Sequence, residues 1–257
     1  DQNLLYRPKN GNCDFSNAEF STKIYFENGI RSNGQNLNDI NEKNSILIAG
    51  DSLAMGWGVN DNETYASKLE NLLKIKVYNS AVSSYGTIRE VKKINNLTNI
   101  DKIDTIIIHY NLNDLLENIN LDIDKKYTLA DFEKITSNSL KKNKIFYLFR
   151  YFKKSFRLFY HDLRGVFIPK KNLVEIDLNY HFQIAQEIIK KNLKQKGTKI
   201  ILIFTKNPKI KIINYPKKSE IFLHLILELD KKHFFKVDDH LNAEGHNYVA
   251  QELSKYF

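Results

Sequence analysis

Short apolar runs that stop at small or polar residues, each followed by a stretch of helical spacing, constrain this chain more than any other feature. "ILIAG" (46–50) reads as a buried strand, "NETYASKLENLLK" (62–74) as a helix with acidic residues near its start, and "IKVYNS" (75–80) as the next strand. "TIREVKKINNL" (87–97) then reads as a helix and "DTIIIHYN" (104–111) as a third strand. "NYHFQIAQEIIKKNLKQKG" (179–197) predicts a helix ended by Gly197, and "TKIILIF" (198–204) a fourth strand. The tail predicts a helix over "SEIFLHLILELDKK" (219–232), a short fifth strand over "HFFKV" (233–237) and a terminal helix over "AEGHNYVAQELSKYF" (243–257). Strands alternating with helices imply an α/β fold with a doubly wound parallel sheet of five strands.

Two segments fall outside that alternation. Residues 1–44 are rich in Asn, Gly, Ser and Asp, with one alternating piece, "STKIYF" (21–26), and read as an arm or edge element packed on the main domain, 45–257. Residues 117–172 exceed what a crossover needs and read as a helical insertion. Within it, aromatic and basic side chains interleave over 140–164. That stretch suits either an amphipathic helix packed on the body or on a second copy, or a face laid on a membrane surface or an anionic glycan. At 257 residues and 42% hydrophobic content, one core with an insertion is expected.

Lys and Arg number 39 against 30 Asp and Glu, a net charge of +9 that biases the surface toward anionic partners. No nucleic-acid-binding motif accompanies that charge, so nucleic acid is not the expected partner. Cys13 is the only cysteine, which excludes an internal disulfide and any multi-cysteine zinc site. No run of about 18 apolar residues exists to span a membrane. The sequence starts at Asp1 without an initiator Met, and a signal or anchor upstream is the expectation.

Ser52 follows the first strand directly, in "ILIAGDSLAMGWGV" (46–59), and ligands of open α/β sheets bind at the carboxyl ends of strands. It is either a helix cap or a nucleophile. A nucleophilic serine needs a histidine in hydrogen-bond reach and a carboxylate to hold that histidine's tautomer. Of seven histidines, His109 lies inside an apolar strand, His161 and His181 in the insertion or on a helix, and His224 and His233 beside a helix. All five read as structural or surface residues. His240, in "VDDHLNAEGH" (237–246), follows the last strand with Asp238 and Asp239 before it, while His246 reads as a packing or capping residue. Donors for an oxyanion are available from the turns "YNSAVSSYGT" (78–87) and "YNLNDL" (110–115), where Asn113 can project its amide over the same sheet edge.

Gly50-Asp51-Ser52, the Asn79–Gly86 turn, Asn113-Asp114 and Asp238/His240, in that order, resemble the four sequence blocks of the SGNH (GDSL-type) hydrolase superfamily. "GDSLAMGWGVNDNETYASKLENLL" (50–73) is further similar to a form found in proteins of bacterial surface-polysaccharide loci, associated with O-acetylation and deacetylation. The resemblance implies a flavodoxin-like three-layer α/β/α sandwich and no metal or organic cofactor. It implies Ser52 as nucleophile, His240 as base and Asp238, through the Asp-x-His spacing, as orienting acid. The implied oxyanion donors are the backbone N–H groups of Ser52 and Ser84 and the Asn113 side chain. Ala81 and Ser84 stand where the family commonly has glycine, as does Asn111. If Ser84 needs a positive φ, its side chain costs energy there.

The expected activity is a serine esterase removing O-acyl, foremost O-acetyl, groups from a bacterial glycan through an acyl-enzyme. The alternatives are transfer of the acyl group to a polysaccharide hydroxyl, a non-catalytic glycan-binding module, and a lipase. The expected partner is an acylated, anionic glycan. The expected location is the cell envelope, periplasmic or extracellular; a cytoplasmic enzyme acting on lipid-linked or nucleotide-linked sugars stays open.

Overall fold

A computed structural model describes residues 4–33, 40, 42–120 and 173–257. The 140–164 segment and all of the 117–172 insertion beyond residue 120 lie outside the described residues. The strands are β1 (Gly11–Ser16), β2 (Ser21–Glu27), β3 (Ile30–Arg31), β4 (Ser45–Gly50), β5 (Val77–Asn79), β6 (Ile103–His109), β7 (Val174–Asp177), β8 (Lys199–Lys206), β9 (Ile210–Asn214) and β10 (Phe222–Glu228). The α-helices are α1 (Ser52–Met55), α2 (Tyr65–Leu73), α3 (Thr87–Asn95), α4 (Asp114–Asn120), α5 (Leu178–Asn192) and α6 (Ala243–Ser254).

The main sheet runs β1-β2-β3-β5-β4-β6-β8-β10. Its five central-to-edge strands β5, β4, β6, β8 and β10 are parallel. Counted in chain order those five stand 2-1-3-4-5, the flavodoxin-like arrangement, whose crossovers reverse direction between the first and third parallel strands. That reversal opens a crevice beyond the ends of β4 and β6. β1–β3 continue the sheet antiparallel, so the amino-terminal arm is an extension of the sheet and not only a wrapping segment.

Alternation along each parallel strand divides the core in two. Leu47, Ala49, Ile106, Ile108, Leu202 and Phe204 face α3 and α5. Ile46, Ile48, Ile107, Ile201 and Ile203 face α2 and α6. Both sheet faces are covered, which is why these strands read as unbroken apolar runs.

Three expectations for the tail and α5 are corrected. "SEIFLHLILELDKK" is not a helix: Phe222–Glu228 is the fifth parallel strand, paired with β8. Its even residues Phe222 and Ile226 pack into the α3/α5 side, and its odd residues Leu223, Leu225 and Leu227 into the α2/α6 side. With apolar residues packing on both sides and only His224 interrupting them up to Leu227, the run imitates a buried helix. "HFFKV" is accordingly no strand, but a 3-10 turn at Lys231–His233 followed by a single bridge, Phe234 to Leu241. His224 therefore lies on β10. The helix expected to end at Gly197 ends at Asn192, with Leu193 as its cap.

Candidate active site

β4 delivers Ser52 through a turn that only glycine allows. Gly50 has φ +151, and a Cβ there would meet the Ala54 Cβ at 2.5 Å and the His109 carbonyl at 3.0 Å. Asp51 is the N-cap of α1, its Oδ1 accepting the Leu53 N–H at 2.9 Å. The capping role thus falls to Asp51 and leaves the Ser52 hydroxyl free for another partner.

That partner is His240, whose Nε2 stands 2.8 Å from Ser52 Oγ. The other ring nitrogen, Nδ1, donates to Asp238 Oδ1. With a carboxylate on Nδ1, the proton resides there and Nε2 is an acceptor for the serine O–H. Asp238 Oδ1 also accepts the His240 backbone N–H at 3.3 Å, a local turn that makes the one-residue spacing work. Asp239 pairs instead with Lys209 at 3.2 Å, both side chains being exposed. The loop is closed at its base, where Phe235 N–H donates to the His240 carbonyl and the Asn242 side chain donates to the Lys232 and Phe234 carbonyls.

Ser52 and His240 open onto a cleft of about 240 Å³, lined also by Leu53, Asn111, Asn113, Phe204, Ile210 and Phe234. Asn113 stands at its rim at the start of α4. Asp51 Oδ2 accepts the Asn111 side-chain amide at 2.7 Å. Burial pushes the Asp51 carboxyl above the usual range, opposed by the Leu53 N–H, the Asn111 amide and the His240 charge. Glu90 and Asp114, buried beneath it, are pushed well up by burial first and by neighbouring carboxylates second. Ser84 is not among the cleft-lining residues; it is exposed, and its φ is +62, in the left-handed region.

The remaining histidines have structural partners. His109 is buried between Thr205 Oγ1 at 3.1 Å and the Tyr65 hydroxyl at 3.4 Å, and His246 Nδ1 accepts the Tyr65 N–H at 3.2 Å. His181 bonds the Tyr110 hydroxyl, His224 bonds Gln186, and His233 accepts from the Asp230 N–H. His161 lies outside the described residues. Among the described residues no group of three or more His, Cys, Asp or Glu is arranged to hold a metal ion.

Two sets of contacts around the site carry no sequence signal. Arg31 is fully buried and donates to the carbonyls of Met55 (2.5 Å), Gly56 (2.6 Å) and Val59 (2.6 Å), while its Nε pairs with Asp61 at 2.8 Å. It holds the turn behind Ser52 together with Asn79, whose amide donates to the Ala54 carbonyl. Glu19, in the β1–β2 turn, accepts the backbone N–H groups of Val237 and Asp238.

No family model matches this sequence, and no curated protein matches it. Among solved structures, the chain is similar to a protein of the G-D-S-L family from Desulfitobacterium hafniense DCB-2, with 11% identity over 84% of this chain and 100% of that one and a TM-score of 0.45. It is similar to the acetyl xylan esterase Est2A from the rumen bacterium Butyrivibrio proteoclasticus, with 11% identity, 86% and 65% coverage and a TM-score of 0.39. A family two carbohydrate esterase from Clostridium thermocellum gives 9% identity, 86% and 65% coverage and a TM-score of 0.43. The chain spans less than two thirds of the length of the latter two.

Proposed function

We propose that the protein is a serine esterase that removes small O-acyl groups, acetyl foremost, from an anionic glycan. The observation that carries this reading is the 2.8 Å approach of His240 Nε2 to Ser52 Oγ with Asp238 on the opposite ring nitrogen. Such an arrangement serves proton transfer from an attacking hydroxyl. Ser52 Oγ attacks the ester carbonyl while His240 takes its proton, and the imidazolium is stabilised by Asp238. The tetrahedral oxyanion receives hydrogen bonds from the Ser52 N–H and the Asn113 amide, with the Ser84 N–H as the third donor implied by the resemblance to SGNH hydrolases. Collapse breaks the ester C–O bond, and His240 returns its proton to the departing sugar oxygen. Water then adds to the acyl-enzyme by the reverse sequence, releasing the carboxylic acid.

The cleft supports a short acyl group. Its volume of about 240 Å³ lies below the usual range of ligand sites, and Phe204, Ile210 and Phe234 line it. The +9 net charge supports an acidic glycan.

The test is hydrolysis of p-nitrophenyl acetate by wild type, Ser52→Ala and His240→Ala, followed by acetate release from an O-acetylated acidic polysaccharide. Loss of about three orders of magnitude in both variants is expected. Activity that survives Ser52→Ala overturns the reading. Ester hydrolysis without release of glycan acetate refutes only the substrate.

A further inference from the structure

We propose that Glu19 is a positioning residue for the Asp238–His240 pair, supplied to the site by the amino-terminal hairpin; the proposal rests on the reading of these residues as the acid and base of an esterase. Glu19 Oε1 accepts the Val237 N–H at 3.0 Å and Oε2 accepts the Asp238 N–H at 2.8 Å, across more than two hundred residues of sequence. One carboxylate therefore holds two consecutive peptide groups, the second belonging to the residue that orients the histidine.

The turn that presents Glu19 is itself built to do so. Asn17 Oδ1 accepts the N–H groups of Glu19 (2.7 Å) and Phe20 (3.1 Å), and the Asn17 N–H donates to the Phe20 carbonyl, closing β1 onto β2. Phe20 packs on Phe235 at 5.0 Å and on Trp57 at 6.2 Å, and Trp57 lies 6.1 Å from the His240 ring. The hairpin thus grips the loop twice, by charge at 237–238 and by aromatic packing at 235. Without Glu19, the Val237 and Asp238 N–H groups lose these two acceptors, and the carboxylate of Asp238 is held less firmly on His240.

The test compares wild type with Glu19→Ala, Glu19→Gln and Asp14→Asn, the last removing an exposed carboxylate from β1 of the same hairpin. For an activated acetyl ester, kcat is expected to fall about ten- to a hundredfold in Glu19→Ala with KM unchanged. Glu19→Gln, which keeps one acceptor, falls less, and Asp14→Asn matches wild type. Circular dichroism shows which variants are folded at the assay temperature; if Glu19→Ala is not, Glu19→Gln carries the comparison. A second readout is independent of turnover: the downfield proton of His240 Nδ1, assigned by its loss in His240→Ala, shifts or broadens in the Glu19 variants. Wild-type kcat and an unmoved proton in a folded Glu19→Ala overturn the proposal. If wild type hydrolyses no ester, the esterase reading fails, and the proton alone decides whether Glu19 positions the pair.

Discussion

Asp51 Oδ2 accepts the Asn111 side-chain amide at 2.7 Å, so the turn after β4 is pinned to the turn after β6 across the crevice between them. The same carboxylate caps α1 through the Leu53 N–H. Asp51→Ala removes both bonds, and a loss of about 2 kcal/mol in urea unfolding is expected. Asp51→Asn separates the two tasks. Its oxygen still caps α1, but its amide opposes the amide of Asn111, so stability largely returns while kcat on an acetyl ester stays depressed. Equal kcat in wild type and Asp51→Asn would show that the clasp does not position the site.

Arg31 joins three carbonyls behind the serine, and a lysine has no fork to match them. Arg31→Met leaves those carbonyls and Asp61 without their partner in a buried place, at an expected cost of about 3 kcal/mol or more by chemical denaturation. Because the carbonyls belong to Met55, Gly56 and Val59, the turn that follows Ser52 loosens as well. Faster amide hydrogen exchange over residues 52–59 at denaturant concentrations where the variant is still folded is the accompanying signature.

Strand ends were the part of this molecule most readable from sequence. β4, β6 and β8 are short, apolar on both faces and flanked by helices of clear period, so their carboxyl ends, and hence Ser52 and Asn113, could be placed on one edge. The same double burial concealed β10, because "FLHLILE" satisfies the helical and the extended pattern at once. The two-stranded sheet of β7 and β9 is not legible for another reason: Val174, Glu175, Lys211 and Ile213 are exposed, and both strands are short. His240 was picked out by its place after an expected strand over 233–237, where the chain instead makes a 3-10 turn and a single bridge. Glu19 and Arg31 were not, since an acid in a polar turn and an arginine in a short polar segment look like any solvated charge until the chain has brought residues 237–238 and 55–59 against them.

Ser84 holds a φ of +62, a conformation that costs a residue with a side chain about 1–2 kcal/mol. Glycine avoids that strain but loses more entropy on folding, so Ser84→Gly is expected to stabilise the protein by about 0.5–1 kcal/mol. Its carbonyl, which accepts from Arg89, is backbone and survives the change. Thermal melts of Ser84→Gly and Ser84→Ala separate the effect from loss of the hydroxyl, because alanine keeps the strain. A melting temperature raised by both variants alike would locate the effect in the hydroxyl and not in φ.

His109 sets a limit on acid stability. Burial pushes its imidazole down to about 3 from an ordinary value of 6.5, between partners at Thr205 and Tyr65. Between those two values the unfolded chain binds a proton that the native state refuses, so stability is fully present above 6.5 and is lost as pH falls toward 3. The slope for one such group approaches about 1.4 kcal/mol per pH unit. His109→Gln keeps a donor and an acceptor for the two hydroxyls without a titrating ring. His246, also lowered by burial, is present in both proteins and cancels from the comparison. Urea unfolding at pH 7, 5.5 and 4.5 should therefore show the difference between wild type and His109→Gln moving steadily in the variant's favour on acidification. A difference that stays flat over that range would mean that the native protein admits the proton on His109 as readily as the unfolded chain does.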